Sequence, residues 1–343
     1  MKRLFMPLVG AIFLVPTVAV AAPKGVYPKW TISPDSPGAQ THTGTIKFGV
    51  NGIPNATYKV EKDNDDGRSV RLETSNGGGD WLTAATPFGK IFGPSGPSDS
   101  NQYLRVAQDS SGDGNVSTTT ITFPSAVPVG LVGIAVGDLD VDEVTVSAAD
   151  SAFRLKSGSA IQGSASPVPF NFCNVPDPKP DNCGSDTDVP TWNPGPFAGI
   201  LRGTGDDSDG ASGWFRPTFA LRQLTLEFTG SDGYGGSNHS YRTWLAALSN
   251  DISGKVTRTT GRALRGVLVS LQAPGGKTAA KRIRTDARGR YSFPNWAARS
   301  GYTVKMAVPS GYTASGATTK GASIAVNDAT VDFKLKPAPA YTG

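Results

Sequence analysis

The chain has 343 residues, length for two or three domains, and its 42 glycines, 26 prolines and 38% hydrophobic residues exclude a collagen-like or low-complexity polymer. Only four glutamates occur (Glu61, Glu73, Glu143, Glu227) and three methionines, while Thr, Val, Ser and Asp abound, a mix that suits strands and turns and argues against a helical protein. Formal net charge is +5, and two histidines (His42, His239) with two cysteines argue against most His-based metal sites and most His-dependent catalysis.

Residues 1–21 read as a signal peptide: Lys2 and Arg3, a mostly apolar run from Leu4 to Val15, then the small-x-small pattern Ala19-Val20-Ala21. The run is short of the roughly 20 residues a membrane span needs, and Pro7 and Pro16 interrupt it. No later segment is long and apolar enough to span. A mature chain starting near Ala22 is therefore expected outside the cytoplasm, secreted or associated with the cell surface.

Residues 22–248 carry a net charge of −8 and residues 249–343 a net charge of +11. Such asymmetry predicts two units, 22–248 and 249–337, with a short tail at 338–343. The boundary falls at Ser249-Asn250-Asp251, which reads as a polar turn. In the acidic unit, Thr118–Phe123 is β-branched, Leu131–Val136 is brief and apolar, and Val144–Ala148 alternates. Leu224, Leu226 and Phe228 share one strand face. Gly- and Pro-rich turn clusters separate these runs, and no window has a helical period. The unit reads as a large antiparallel, jelly-roll-like β-sandwich with long loops.

Export sets the redox context. Cys173 and Cys183 bracket a Pro-rich stretch and are expected to form one disulfide, since no second pair of zinc ligands lies nearby.

Asp138, Asp140 and Asp142 alternate with Leu139 and Val141. On a strand they would share a face, bridged by calcium; the alternative is a solvated polar face or a strand-end turn. Asp109, Asp113 and Asn115 lie in an oxygen-rich Asp-Gly segment, as do Asp206, Asp207 and Asp209; each reads as a turn or a calcium loop, without the distal Glu of an EF-hand. Calcium is the one cofactor these residues suggest. Trp192, between prolines, and Tyr234 with Asn238, in a Gly-rich stretch, are candidates for stacking on and bonding to sugars; the alternative for Trp192 is a packing corner. Trp81, Trp214, Trp244 and Trp296 read as core. His239 reads as a loop residue, and its neighbour Ser240 lacks a nucleophile elbow.

The basic unit shows five alternating runs: Ile252–Val256, Gly266–Leu271, Gly289–Phe293, Tyr302–Met306 and Thr330–Leu335. These fit a small seven-strand sandwich. The order of Ile252-Ser253-Gly254-Lys255-Val256, Gly266–Leu271, Thr285-Asp286-Ala287-Arg288-Gly289-Arg290-Tyr291-Ser292-Phe293, Gly301-Tyr302-Thr303-Val304 and Pro309-Ser310-Gly311-Tyr312 resembles the prealbumin-like modules: SdrD B-like, Cna B-type and carboxypeptidase-regulatory-like. The resemblance covers roughly 252–336 and implies a rigid spacer in bacterial exported proteins. Asp286 and Gly289 are expected to make a hairpin turn, with Tyr291 and Phe293 facing inward. The acidic calcium loop of SdrD B-like repeats is replaced here by the basic stretch 257–265. The Lys–Asn cross-link of some Cna B-type modules would involve Lys255 and Asn327, but the acid expected to promote it is replaced by Met306. The acidic unit more loosely resembles the sandwich that accompanies such modules.

Arg282, Arg284, Arg288 and Arg290 crowd the expected hairpin. They form either a solvated basic face or a docking face for anionic envelope polymer, with no base-reading motif for specific nucleic-acid binding. The tail lacks a Leu-Pro-x-Thr-Gly sorting motif. The expected function is a non-enzymatic, adhesin-like protein binding an extracellular glycan or protein. A lectin-type sandwich and a secreted hydrolase with an accessory module are the alternatives.

Overall fold

The computed structural model describes residues 23–33, 39–63, 70–76, 82–108, 116–176, 179–180, 183–184, 187–205, 210–230 and 239–339. The expected signal peptide, Trp81 and the tail beyond 339 lie outside them. The strands in chain order are β1 (Lys24–Val26), β2 (Lys29–Trp30), β3 (Thr41–Lys47), β4 (Ala56–Lys62), β5 (Val70–Thr74), β6 (Gln102–Gln108), β7 (Val116–Val127), β8 (Val132–Gly137), β9 (Glu143–Ala149), β10 (Pro169–Asn171), β11 (Thr191–Pro194) and β12 (Gly199–Arg202). They continue with β13 (Ala211–Phe215), β14 (Leu221–Thr229), β15 (His239–Arg258), β16 (Leu268–Gln272), β17 (Lys281–Arg284), β18 (Arg290–Ala297), β19 (Tyr302–Met306), β20 (Tyr312–Ala314), β21 (Thr319–Ala322), β22 (Ala329–Thr330) and β23 (Phe333–Pro337). The described helices are short: α1 (Pro87–Phe92) and α2 (Gly158–Gln162), with a 3-10 turn at Phe172–Asn174.

The first sheet of the acidic unit runs β11-β12-β9-β14-β7-β4-β3-β2, antiparallel throughout. Its alternation matches the sequence: Leu224, Leu226 and Phe228 of β14 are buried, as are Ile121 and Phe123 of β7 and Val144 and Val146 of β9. The opposing sheet is β10-β13-β8-β15-β6-β5. Phe228 of the first sheet stacks on Tyr241 of the second at 4.6 Å, and Thr119 Oγ1 lies 2.6 Å from the Tyr241 hydroxyl. Burial pushes that phenol up to about 12.

Every residue of β8 is buried, on both faces. Its outer face is covered by α1, which Pro87 opens and the Thr86 side chain caps by accepting from the Gly89 N–H. Phe88 and Phe92 of α1 meet Trp214 edge-on. Gly133 of β8 has no side chain because one would meet the Phe92 ring at 2.2 Å.

Two separate clusters of buried apolar side chains form, one reaching from Trp30 to Leu248 and one from Ile252 to Leu335. Two paired strands enter both, β15 and β18. The first half of β15 pairs with β6 and β8, and the second half pairs with β18 antiparallel and with β22 and β23 in parallel. Ser249-Asn250-Asp251 is therefore strand and not a turn. Ser249 and Asn250 are buried, and Asn250 donates to the Ile324 carbonyl at 2.9 Å, which removes the cost of burying its amide. The second cluster's other sheet is β17-β16-β19-β21. Ala297 and Ala298, from the basic unit, belong to the first cluster, and the Asn51 N–H donates to the Asn295 carbonyl. The joint is thus made of shared strand and shared core.

Candidate functional site

Strand registers gather many connections at one pole of the acidic sandwich. Lys62 at the end of β4 faces Ser117 at the start of β7, and Thr229 at the end of β14 faces both Val116 and Glu143. Glu143, starting β9, faces Arg202, ending β12. In the other sheet Gln108, ending β6, faces His239, starting β15, while Gly137, ending β8, lies between Arg242 and Ser212. The pole opposite the basic unit is thus where the chain crosses between sheets. Asp109, Asp113, Asn115, Asp206, Asp207, Asp209, Tyr234 and Asn238 belong in sequence to connections that leave this pole, and all eight lie outside the described residues.

The segment 138–142 is described. It is a loop between β8 and β9, the strand-end turn and not a strand, so the shared face of Asp138, Asp140 and Asp142 does not form. Asp138 adopts a left-handed φ of 65°, which turns the chain out of the sheet. Its Oδ2 accepts from Ser240 Oγ at 2.8 Å and pairs with Arg242. Asp142 is fully buried, with His239 Nδ1 2.7 Å from its Oδ1. The main chain at Asp140 lies against Gly203, where a Cβ would meet the Asp140 carbonyl oxygen at 1.4 Å. Among the described residues no three His, Cys, Asp or Glu side chains are grouped to hold a metal ion.

His239 is therefore the buried first residue of β15 and not a loop residue. Ser240, next on the strand, points the other way and engages Asp138 and Arg105. The two side chains go to different partners, which removes the adjacent-pair reading of a nucleophile and base. Beyond Ser240 lies a row the sequence did not reveal: Arg71, Arg105 and Arg242 stand directly opposite one another on β5, β6 and β15. Glu73 lies 2.6 Å from Arg71 and 4.0 Å from Arg105, accepts from the Tyr103 hydroxyl at 2.9 Å, and with Asp138 offsets the repulsion. Burial and the neighbouring Arg242 hold the Arg105 guanidinium below its ordinary pKa.

Trp192 lies on β11, half-buried. It packs on Phe215 at 4.9 Å, covers Gly199, and donates from Nε1 to Gln162 at 3.2 Å. Gln162 at the end of α2 is what a sequence reading could not place. The expected disulfide is present between Cys173 and Cys183, with Cα atoms 5.5 Å apart. Trp214, Trp244 and Trp296 are buried, as expected.

In the basic unit, Tyr291 and Phe293 are buried and meet edge-on at 5.7 Å. Asp286 Oδ1 accepts from the backbone N–H groups of Arg288 and Arg290, which holds its carboxyl below the usual range. Gly289 completes the turn with φ 70°. The turn does not close a hairpin, however: β17 pairs with β16, and β18 with β15, so it crosses between sheets. Buried Thr285 anchors the crossing, donating to the Leu264 carbonyl and accepting from the Val267 N–H. The four arginines are consequently divided. Arg282 lines a recess with Lys277 and Lys305, Arg284 and Arg290 line another with Lys255, and Arg288 lines neither. Lys255 is exposed and its N–H donates to Asp332, while Asn327 lies five positions earlier in the same parallel register, so the pair is not placed for a cross-link.

Residues 251–336 match the carboxypeptidase regulatory-like domain. That domain covers about a quarter of the chain, and no curated protein matches the chain. Among solved structures, the Bacillus anthracis TIE protein aligns over 91% of this chain at 9% identity and a TM-score of 0.24, and the chain spans 41% of its length. The major pilin SpaD from Corynebacterium diphtheriae aligns over 83% of this chain and 80% of its own at 10% identity and a TM-score of 0.22. BcpA, the major pilin subunit of Bacillus cereus, aligns over 82% and 85% at 10% identity and a TM-score of 0.23. Superposition at this level carries no statement about what the chain does. Among the described residues no helix is long and apolar enough to cross a membrane.

Proposed function

We propose that the chain is an exported, non-enzymatic binding protein of the cell surface, in which the regulatory-like domain rigidly extends an acidic sandwich whose ligand site lies at its far pole. The observation that carries this reading is β15. It starts at the pole where the Asp-rich connections leave and runs for 20 residues into the regulatory-like domain, so one element fixes the distance and orientation between the two ends. A strand buried through both cores suits a spacer and leaves no hinge for a closing active site. The ligand is an extracellular glycan or protein, and calcium, held by the Asp-rich connections, orders the pole.

The test is retention of residues 22–343 on glycan and extracellular-protein arrays, with calcium and with chelator. Selective retention that chelator weakens is expected. A calcium excess of a hundredfold over its dissociation constant should stabilise the fold by about 2.7 kcal/mol. No retention on either array overturns the binding role, product release from a polysaccharide or ester replaces it with an enzyme, and an unchanged melting curve removes calcium.

A further inference from the structure

The regulatory-like domain has a cleft of about 680 Å³ at the seam between its two sheets. Lys255 of β15, Arg290 of β18 and Arg284 of β17 line it. Charged side chains on a short edge strand are the ordinary protection against edge pairing, and that accounts for Arg284. It does not account for Lys255 and Arg290. These two stand directly opposite each other on paired strands, an arrangement that is destabilising for like charges. Asp286 and Asp332 line the same cleft, yet none of the three cations is ion-paired with a carboxylate among the described residues. Instead each aspartate spends its Oδ1 on backbone N–H groups, Asp286 on Arg288 and Arg290, Asp332 on Lys255. Asp286 offsets part of the repulsion at Arg290 through space, but no carboxylate closes an ion pair with either opposed cation inside this concave surface.

We propose that this cleft binds an acidic sugar unit of a polysaccharide, its carboxylate seated between Lys255 and Arg290. An anion there converts the opposed cations from a cost into two charge-assisted bonds. The rest of the lining selects the kind of anion. Asp286 and Asp332 repel a densely charged polymer such as nucleic acid, but their Oδ2 atoms can accept from hydroxyl groups. Ser253, Ser292 and Thr330 add hydroxyls that donate or accept. A ligand with one charge and several hydroxyls per unit satisfies all of these groups together. The cleft is at the other end of β15 from the proposed pole, so binding here stands or falls independently of the function proposed for the acidic unit.

The experiment titrates residues 22–343 with a galacturonic acid oligosaccharide by calorimetry at about 0.15 M salt, where surface attraction is screened beyond about 8 Å. Neutral dextran oligosaccharide and duplex DNA serve as comparison probes. The galacturonate probe should bind, dextran should not, and DNA should bind more weakly. The double variant Lys255→Gln/Arg290→Gln should lose affinity about tenfold or more. Arg282→Gln/Lys305→Gln, on the outer face of the other sheet, should change it less than about twofold. Thermal unfolding of both variants, with and without probe, separates lost binding from lost structure: the probe should raise the midpoint of wild type and of the second variant only. Absence of galacturonate binding overturns the inference. So does equal weakening by the two variants, or DNA binding as tight as galacturonate, since each marks a diffuse basic surface and not a site.

Discussion

The molecule contains two rows of like charge on paired strands, and they are treated differently. In the acidic unit Arg71, Arg105 and Arg242 face one another across three strands, and Glu73 and Asp138 are set among them. In the regulatory-like domain Lys255 faces Arg290 with no carboxylate paired to either. Cross-strand repulsion has the same sign in both places. The first row is held to its two carboxylates by ion pairs and is part of the architecture; the second has Asp286 and Asp332 nearby but no ion pair, which leaves its cations open to an anion from outside the chain. Charge that is structural and charge that is available therefore separate by partner, not by residue type.

Asp142→Ala should show the largest effect, a loss of about 3 kcal/mol in urea unfolding, because it removes a fully buried carboxylate held against a buried histidine. An effect below about 0.5 kcal/mol would place the pair outside the structural network. Asp138→Asn keeps a residue tolerant of the left-handed φ but removes the charge between Arg242 and Ser240; a loss of about 2 kcal/mol is expected. Asn250→Ala, at the joint, leaves the Ile324 carbonyl unpaired and should cost about 1 to 2 kcal/mol. Two resolved unfolding transitions in that variant, against one in the wild type, would show that Asn250 couples the two cores. Lys255→Gln should be neutral or stabilising by a few tenths of a kcal/mol, the reverse of Asp138→Asn. If it destabilises as much as Asp138→Asn, the contrast between the rows disappears.

A pH series sharpens the same contrast. Asp150 in the acidic unit is held well below the usual carboxylate range by Lys156, and also by the backbone of Ala152 and Arg154 and the Arg154 side chain. Asp286 in the regulatory-like domain is held down chiefly by the backbone N–H groups of Arg290 and Arg288. Both contributions are complete above the unfolded pKa of about 4 and are lost as pH falls through the lower folded values. Asp150→Asn and Asp286→Asn should each flatten the acid limb of the stability curve. High salt should shrink the Asp150 effect more, because side-chain charges are screened more readily than backbone donors. Equal salt sensitivity of the two variants would contradict that assignment.

The alternating strands were legible because one face of each is buried: Leu224, Leu226 and Phe228 declare β14 by themselves. The same signal misled at 138–142, where five residues alternate in sequence but Asp138 breaks the strand with its φ of 65°. His239 was hidden for the opposite reason. It follows a Gly- and Ser-rich stretch that reads as loop, and it opens a strand whose centre is buried on both faces and so lacks a period of two. Ser249 and Asn250 read as turn because they are polar; their partners are Lys24, Ala297 and Ile324, which no local pattern brings near. The aligned arginines depend on register between strands up to 171 positions apart, and composition could report only their number.

The order in which the chain is made gives β15 one more consequence. The strand at the centre of the acidic unit's second sheet is also its last, and β1, the first, closes on it at Ala247, Leu248 and Ser249. The second sheet is therefore incomplete until nearly the whole unit has been synthesised. Contacts of such sequence separation form slowly. For the export proposed above this delay is an advantage: a chain without its final strand remains threadable, and sheet and joint close together when that strand arrives. Chains truncated at residue 238 should therefore stay unfolded, while chains ending beyond residue 337 should acquire protease resistance in one step.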